Sequence, residues 1–318
     1  MRKIVVITAF IITLAVNILF EIPSVALFKD ETINLMATKS ISNFAITAFV
    51  ILFMCFYYKR DLGFDLKNLK KSLLWLLPCV AVAIVNFPIS ALANGTAKIE
   101  RKNIIWLFVL YSVSIGFAEE LLFRGIVHNF TKDYFEKKKN GYLKSVIVSS
   151  AIFSLWHLTN LFFGAGFGAT ALQVGYTFLL GCMFACVYDY TKNIWYAVFL
   201  HSAFDVGGNI IAFVGTGDSW DAVFWILTTI FGVICGAHIV YTVLKTNKRF
   251  NNTLPVSAND KTKPDNGKLA DGNENTDAET EKLANETPPV SANDTDANHA
   301  VNDENTDTDD NENKPENK

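Results

Sequence analysis

The sequence predicts an all-α polytopic membrane bundle of about eight transmembrane helices, followed by a disordered acidic C-terminal tail. Three observations lead to this fold class. Up to about residue 249, long apolar runs alternate with short charged connectors, and 51% of all residues are hydrophobic. Lys and Arg are concentrated in every second connector. Beyond this point apolar residues become scarce, so the chain divides into a membrane part and a polar tail.

Eight apolar runs are long enough to cross a bilayer, because a spanning helix takes about 20 mainly apolar residues. So many long runs cannot all be core helices of one small soluble domain, which argues against a soluble all-α protein. The predicted spans are 4–27, 41–58, 73–94, 103–127, 145–165, 168–188, 194–214 and 221–244. The fifth and sixth spans are separated only by glycine-rich residues.

The first run follows Arg2 and Lys3, and the small residues at 24–26 resemble a signal-peptide cleavage site. Its apolar stretch is longer than that of a usual signal peptide. We therefore interpret it as an uncleaved span, which also fits the charge pattern of the connectors.

The connectors predict the orientation, since Lys and Arg are enriched on the cytoplasmic side of membrane proteins. One set of connectors holds sixteen Lys and Arg residues: Arg2, Lys3, Lys59, Arg60, Lys67, Lys70, Lys71, Lys132, Lys137, Lys138, Lys139, Lys144, Lys192, Lys245, Lys248 and Arg249. The opposite set holds five: Lys29, Lys39, Lys98, Arg101 and Lys102. Both termini are therefore expected in the cytoplasm. The positive charge reflects this bias and does not indicate nucleic-acid binding.

The remaining composition indicates structural roles. All five Cys residues fall within apolar spans and none forms a CxxC pair, so packing is the expected role. The tail, 250–318, is rich in Asn, Asp, Glu and Thr and cannot bury enough apolar surface to fold alone. We expect a solvated cytoplasmic tail, with an interaction tail as the alternative. The other predicted units are N-terminal spans, 1–100, and a core with the final span, 101–249.

Charged residues inside the spans are the signal for function. The fourth span carries Glu119, Glu120 and Arg124. Each charge at the centre of a bilayer costs roughly 2.5–3.5 kcal/mol, so such residues face the interior of a bundle and usually mark a functional site. The fifth span adds His157, and the seventh adds His201 and Asp205.

Helical geometry groups these residues. Glu120 and Arg124 are four residues apart and can form an ion pair, whereas Glu119 points about 100° away from Glu120 and lacks a partner in its own helix. Asp205 follows His201 by four residues and can orient its imidazole. With the predicted orientation, Glu119, His157 and His201 all lie roughly 10–18 Å below the cytoplasmic surface.

We therefore expect the three spans to bring polar groups to one layer of the bilayer. A purely structural network is the alternative, and it would rarely leave a second carboxylate and two histidines unused. His128, near a helix end, and His238, without an acidic neighbour in its helix, are expected to be bystanders.

The motifs resemble those of the CAAX-protease and bacteriocin-processing family, also called CPBP or Abi. They are EExxxR at Glu119–Arg124, FxxxH at Phe153–His157, and HxxxD at His201–Asp205. EExxxR alone would be a weak signal, but three motifs in this order, each on a span, are specific. The resemblance covers about 100–210.

The resemblance implies an intramembrane endopeptidase with a helical bundle around a cavity. It implies that Glu119 is the general base that activates a water molecule, that His157 shares this role, and that Arg124 holds Glu120. His201 and the residue four positions later would stabilise the oxyanion. Members that process CAAX proteins in eukaryotes have Asn at that position. Here Asp205 must either orient His201 or be protonated, since an ionised carboxylate would repel an oxyanion.

The cofactor requirement is left open by the residues. Glu119, His157 and His201 could hold a divalent metal such as zinc, because two His residues and one carboxylate form a known zinc site. The HExxH helix of many zinc proteases is absent. The resemblance favours a glutamate mechanism that requires no cofactor.

The expected function is hydrolysis of a peptide bond in a membrane-associated partner, which is a prenylated, leader or signalling peptide or protein. The alternative is a non-proteolytic scaffold or bacteriocin-immunity factor with the same fold. A proton-coupled transporter also uses intramembrane carboxylates and histidines, but no inverted repeat is evident. The resemblance favours the plasma membrane of a bacterium, with the lipid bilayer as a further partner.

Overall fold

The computed structural model of the chain describes residues 2–21, 26–63 and 69–254. Ten helices and two short strands occur in this part. They are α1 (Arg2–Glu21), α2 (Glu31–Leu52), α3 (Leu69–Val85), α4 (Ile89–Asn94), β1 (Ala97–Ile99), α5 (Ile105–Glu120), α6 (Asn129–Phe135), α7 (Gly141–Trp156), α8 (Phe167–Thr191), α9 (Ile194–Val214), β2 (Gly215–Gly217) and α10 (Ala222–Thr253). The predicted tail, 250–318, is described only to residue 254, and α10 continues into it as far as Thr253. The rest of the tail, with its expected disorder, and residues 22–25 of the first predicted span lie outside the described residues.

Four shorter helical segments extend these elements. α2 and α5 continue as π-helices, and 3₁₀ turns precede α5 and follow α7. Their bounds are Phe53–Tyr58, Leu121–His128, Lys102–Ile104 and His157–Phe163. The predicted fifth and sixth spans are separate helices because Gly164 ends the 3₁₀ turn in a left-handed conformation, with φ of 89°.

The predicted class of a multi-pass helical membrane protein is confirmed. In the described part of the chain, six helical stretches are long and apolar enough to cross a membrane, by length and composition: Glu31–Tyr58, Lys102–Phe135, Gly141–Phe163, Phe167–Thr191, Ile194–Val214 and Ala222–Thr253. The other two predicted spans correspond to shorter apolar helices. Ile4–Val16 is the apolar part of α1, and α3 has 17 residues with Pro78 inside it.

Side-chain caps define where several helices begin. Asp30 accepts a hydrogen bond from the Ile33 amide at 2.9 Å at the start of α2. Asp221 does the same for Phe224, also at 2.9 Å, at the start of α10. These caps satisfy amide groups that a helix leaves unpaired in its first turn.

The strands β1 and β2 form a small antiparallel sheet, with Ala97 opposite Gly217 and Ile99 opposite Gly215. The sheet was not predicted from the sequence, which suggested helices alone. It joins the connector before α5 to the end of α9. This contact holds together the two helices that carry most of the candidate site.

Helix α5 packs mainly against α9 and α2, and α7 packs against α8. The crossing of α5 and α9 is close because Gly116 has no side chain. A Cβ atom there would lie 2.3 Å from Ser202 Oγ and 3.0 Å from the Val198 carbonyl oxygen. Small residues allow this kind of approach between membrane helices. The charged residues at the end of α5 are thereby brought beside α9.

Candidate active site

The site forms where α5 changes into a π-helix. Glu119 and Glu120 are the last two residues of α5, and Arg124 lies in the following π-helix, Leu121–His128. Short π-helical turns occur often at functional sites, where they alter the direction in which side chains point. The sequence motif therefore coincides with a local change of helix type.

A buried ion pair and a histidine form the inner part of the site. Arg124 Nη1 donates to Glu120 Oε1 at 2.9 Å, and the two side chains are 3% and 0% exposed. His201 Nδ1 lies 2.7 Å from the same Glu120 oxygen. Because an ionised carboxylate only accepts, Nδ1 is the nitrogen that donates. The predicted pair of Glu120 and Arg124 is confirmed, and its carboxylate also orients His201.

Two phenylalanines enclose these charged groups. The Arg124 guanidinium lies 4.2 Å from the ring centroid of Phe153 and 5.2 Å from that of Phe184. Phe184 also stacks on the His201 ring, with centroids 5.1 Å apart and an interplanar angle of 17°. Cations are attracted to aromatic faces, most strongly where water is excluded. Both phenylalanines are buried, and each packs against both Arg124 and His201.

Glu119 and Asp205 form the outer part of the site. Glu119 Oε2 and Asp205 Oδ2 each lie 3.6 Å from His201 Nε2, the nitrogen that does not face Glu120. Their side chains are 20% and 17% exposed. Glu119 Oε2 is itself buried and has no hydrogen-bond partner among the described groups. The inner carboxylate is thus held through Oε1 alone, since Glu120 Oε2 is also buried without a hydrogen-bond partner. The outer carboxylates differ in being partly exposed.

Asp205 does not provide the main contact that orients His201. The sequence suggested this role from the four-residue spacing. The two residues do face each other, but at 3.6 Å their atoms are beyond hydrogen-bond distance, while Glu120 accepts at 2.7 Å. Glu120 lies 81 residues away in the sequence, so its contact could not be read from helix spacing.

His157 lies at the end of α7, next to the same aromatic ring. Its ring is edge-on to Phe153, with centroids 5.2 Å apart, and the Phe153 ring is also edge-on to His201 at 5.9 Å. His157 Nδ1 lies 3.0 Å from the Phe153 carbonyl oxygen and must donate to it. Its Nε2 therefore carries the lone pair when the ring is neutral and is available to accept a proton or bind a ligand.

In the part of the chain that the structure describes, no group of three or more His, Cys, Asp or Glu side chains is arranged to hold a metal ion. The outer groups of the site nevertheless include both oxygen and nitrogen donors, which are types that bind zinc.

The site also contains residues that the sequence did not single out. Phe184 comes from α8, and Arg124 Nη2 donates to the Gly181 carbonyl oxygen of the same helix at 3.4 Å. An apolar residue and a backbone carbonyl give no signal in the sequence, so only the packing of α8 shows them.

His128 was expected to be a bystander, but it has polar contacts of its own. It is completely buried, with Nδ1 3.0 Å from Ser149 Oγ and Nε2 2.8 Å from Asp189 Oδ2. It belongs to a second polar cluster, separate from the six predicted site residues. His238 stacks at a tilt on Trp75 and has no acidic contact among the described residues.

Residues 101–207 match the family model described as Type II CAAX prenyl endopeptidase Rce1-like. The match covers about a third of the chain, includes all six predicted site residues, and confirms the resemblance inferred from the motifs. No curated protein and no solved structure matches the chain. The family match supports a membrane protease in general terms.

Proposed function

We propose that the protein is an intramembrane endopeptidase in which Glu119 activates a water molecule to hydrolyse a peptide bond. One observation carries this proposal. Glu119 Oε2 is buried, lacks a hydrogen-bond partner among the described residues, and lies 3.6 Å from His201 Nε2. A buried carboxylate oxygen without a partner is costly, and a bound water or substrate would satisfy it.

The proposed reaction begins with a water molecule hydrogen-bonded to Glu119, with His157 Nε2 as a second acceptor that orients it. Glu119 takes a proton from the water as the water oxygen attacks the carbonyl carbon of the peptide bond. The tetrahedral intermediate carries a negative oxygen. When the C–N bond breaks, Glu119 returns the proton to the leaving amine.

His201 is proposed to stabilise the oxyanion. In its protonated form it donates Nδ1–H to Glu120 and Nε2–H to the oxyanion, so Glu120 holds the donor ready before the reaction. Arg124 pairs with Glu120 and fixes its position. In the reactive state Asp205 is protonated, because a second anion beside the developing oxyanion would oppose the reaction.

The proposed substrate is a membrane-associated peptide or protein. The six site residues lie on stretches long enough to cross a membrane, and the matched family is described as a CAAX prenyl endopeptidase family. We propose a multi-pass location in the plasma membrane of a bacterium, with both termini in the cytoplasm, because Lys and Arg are concentrated at one end of the bundle.

The first test is peptide cleavage by the purified full-length protein in lipid nanodiscs. The variants are Glu119→Gln and, as a matched control, Glu136→Gln at an exposed position. Substrates are a set of prenylated CAAX peptides and leader peptides. We expect Glu119→Gln to lower kcat by at least about 100-fold, since general acid–base catalysis contributes that much, and the control to match wild type.

A strong chelator distinguishes the cofactor-free glutamate mechanism from a metal-dependent one. Cleavage that persists after chelation supports the cofactor-free glutamate mechanism. Loss of cleavage, restored by added zinc, would instead assign Glu119, His157 and His201 a role in metal binding. An active Glu119→Gln variant would argue against Glu119 as the base. A wild-type protein that cleaves none of the peptides would argue against the protease and favour a scaffold or immunity role.

A further inference from the structure

A second buried polar cluster lies at the end of the bundle where α6 and α8 end. His128 bridges Ser149 and one oxygen of Asp189, and Lys132 forms an ion pair with the other Asp189 oxygen at 2.5 Å. The Asp189 side chain is 8% exposed and the Lys132 side chain is 34% exposed. Asp189 is therefore buried within the cluster, whereas Lys132 is accessible to solvent.

This cluster forms one wall of a cleft, which we call the basic cleft. Its volume is about 290 Å³, close to the lower limit for pockets that bind small ligands. Seven residues that line it carry nitrogen or oxygen groups, and they come from α6, α7, α8, the turn after α8, and α10: Lys132, Tyr142, Asp189, Tyr190, Lys192, Thr242 and Thr246. Ammonium and hydroxyl groups in this arrangement are hydrogen-bond donors for an anion.

The charge of the basic cleft is positive. Asp189 supplies one negative charge, whereas Lys132 and Lys192 supply two positive charges. Lys192 ends α8 in a left-handed conformation, with φ of 55°, and its side chain is exposed. Its backbone amide donates to the Tyr188 carbonyl oxygen at 2.9 Å, whereas its ammonium group has no hydrogen-bond partner among the described residues. One ammonium group is thus committed to Asp189 and the other remains available.

The position of the basic cleft indicates the source of the anion. Its two lysines lie at the same end of the bundle as the connectors that are rich in Lys and Arg. In a membrane protein, helix ends with such connectors lie at the level of the lipid headgroups, and basic pockets between helices at this level bind anionic headgroups. A phospholipid phosphate is the most abundant anion at that depth.

We propose that the basic cleft binds the phosphate group of an anionic phospholipid. Lys192 is the main charged contact, Lys132 holds a second side of the phosphate, and the hydroxyl groups of Tyr190 and Thr246 donate to its oxygens. Asp189 and His128 position Lys132. Free phosphate shares this chemistry and is the alternative source. The proposal concerns binding and does not depend on the proposed protease activity.

The test measures thermal unfolding of the full-length protein in a neutral detergent. Short-chain phosphatidylglycerol, short-chain phosphatidylcholine and inorganic phosphate are each titrated, since a ligand that binds only the folded state raises Tm. We expect phosphatidylglycerol to raise Tm and the other two to have little effect. Lys192→Gln should weaken phosphatidylglycerol binding about fivefold, the factor expected for one lysine at a membrane surface.

The control variant is Lys245→Gln, which removes an exposed lysine of α10 that does not line the cleft. It should respond as wild type does, and Lys192→Arg should retain most of the binding. If Lys192→Gln does not fold, Thr246→Val supplies the same comparison. Equal stabilisation by phosphatidylcholine, or a response independent of Lys192 and Thr246, would overturn the proposal. A Lys192-dependent response to inorganic phosphate equal to that of the lipid would overturn the lipid as the source.

Discussion

At the scale of single residues, Glu120 is the centre of the candidate site. One of its oxygens is shared by Arg124 and His201, which come from the same helix and from a distant one. Breaking a buried ion pair leaves an uncompensated charge and typically costs about 3–5 kcal/mol. Glu120 therefore has a structural role as well as a role in orienting His201. Each glutamate has a buried Oε2 without a hydrogen-bond partner, but only the Glu119 side chain is partly exposed, at 20% against 0% for Glu120, which is why Glu119 is the proposed base.

The sequence predicts part of this arrangement. The contact between Glu120 and Arg124 follows from their spacing on one helix. The contact between Glu120 and His201 requires knowledge of the relative depth and rotation of α5 and α9, which spacing does not contain. The aromatic walls are still harder to predict, because the 26 Phe residues of this chain give no sign of which two will pack against the charged groups.

Phe184 is expected to be a positioning residue. Phe184→Leu keeps an apolar side chain of similar size but removes the face that stacks on His201 and contacts Arg124. We expect kcat for peptide cleavage to fall about tenfold, which corresponds to roughly 1.4 kcal/mol, with KM unchanged.

The matched control is Phe199→Leu, at a position of α9 that is 68% exposed. It should leave kcat unaltered. If Phe184→Leu lowers Tm but leaves kcat of the folded enzyme unchanged, Phe184 has only a packing role.

At the scale of helices, some boundaries have a clear signal in the local sequence and others do not. The third predicted span, 73–94, is divided because α3 ends at Val85 and α4 begins after Pro88. Proline lacks an amide hydrogen and disfavours helix in the residue before it, so the sequence contained the signal for this break, which the single predicted span missed.

The C-terminal end of α10 could not be predicted from hydropathy. The helix continues to Thr253, beyond the predicted limit of 244, although its last residues are polar. Asn247 and Asn251 both donate to Asn140 Oδ1, at 2.9 and 2.7 Å. These contacts link residues more than 100 positions apart, and they stabilise a turn that hydropathy alone would place outside the helix.

The crossing of α5 and α9 should be sensitive to added volume. Gly116→Ala would place a Cβ atom 2.3 Å from Ser202 Oγ and 3.0 Å from the Val198 carbonyl oxygen. Ser202 Oγ is held by a hydrogen bond to that carbonyl, so it cannot simply rotate away. We expect a loss of about 1–3 kcal/mol in the free energy of unfolding, the usual cost of overpacking.

Gly236→Ala is the comparison, because a Cβ atom at Gly236 has no neighbour within 4 Å. Denaturant unfolding in detergent should show equal or slightly greater stability for it, since Ala favours helix over Gly. Equal stability of the two variants would show that the crossing is looser than the distances indicate.

At the scale of the whole molecule, the lysine-rich connectors should define the topology. The connector between α6 and α7 carries Lys137, Lys138 and Lys139, whereas the connector between β2 and α10 carries Asp218 and Ser219. The two connectors lie at opposite ends of the bundle. We therefore expect the first to face the cytoplasm and the second to face outward.

Cysteine labelling on intact bacterial cells checks this topology. Ser219→Cys should react with a membrane-impermeant maleimide, and Lys139→Cys should react only after the cells are opened. Wild type is the control for the native cysteines, most of which are buried or partly buried. Labelling of Lys139→Cys in intact cells would reverse the proposed orientation and place both termini outside.

The π-helix after Glu120 has a consequence for insertions and deletions. Glu120, Arg124, His128 and Lys132 follow one another at intervals of four residues, and this helix connects the candidate active site with the basic cleft. Each residue of an α-helix corresponds to about 100° of rotation, and each residue of the wider π-helix to somewhat less. Deletion of a single residue between 121 and 128 would therefore rotate the two glutamates by roughly a quarter of a turn relative to His128. Point substitutions there are expected to be tolerated far better than a change in length, so length should be the property of this segment that varies least.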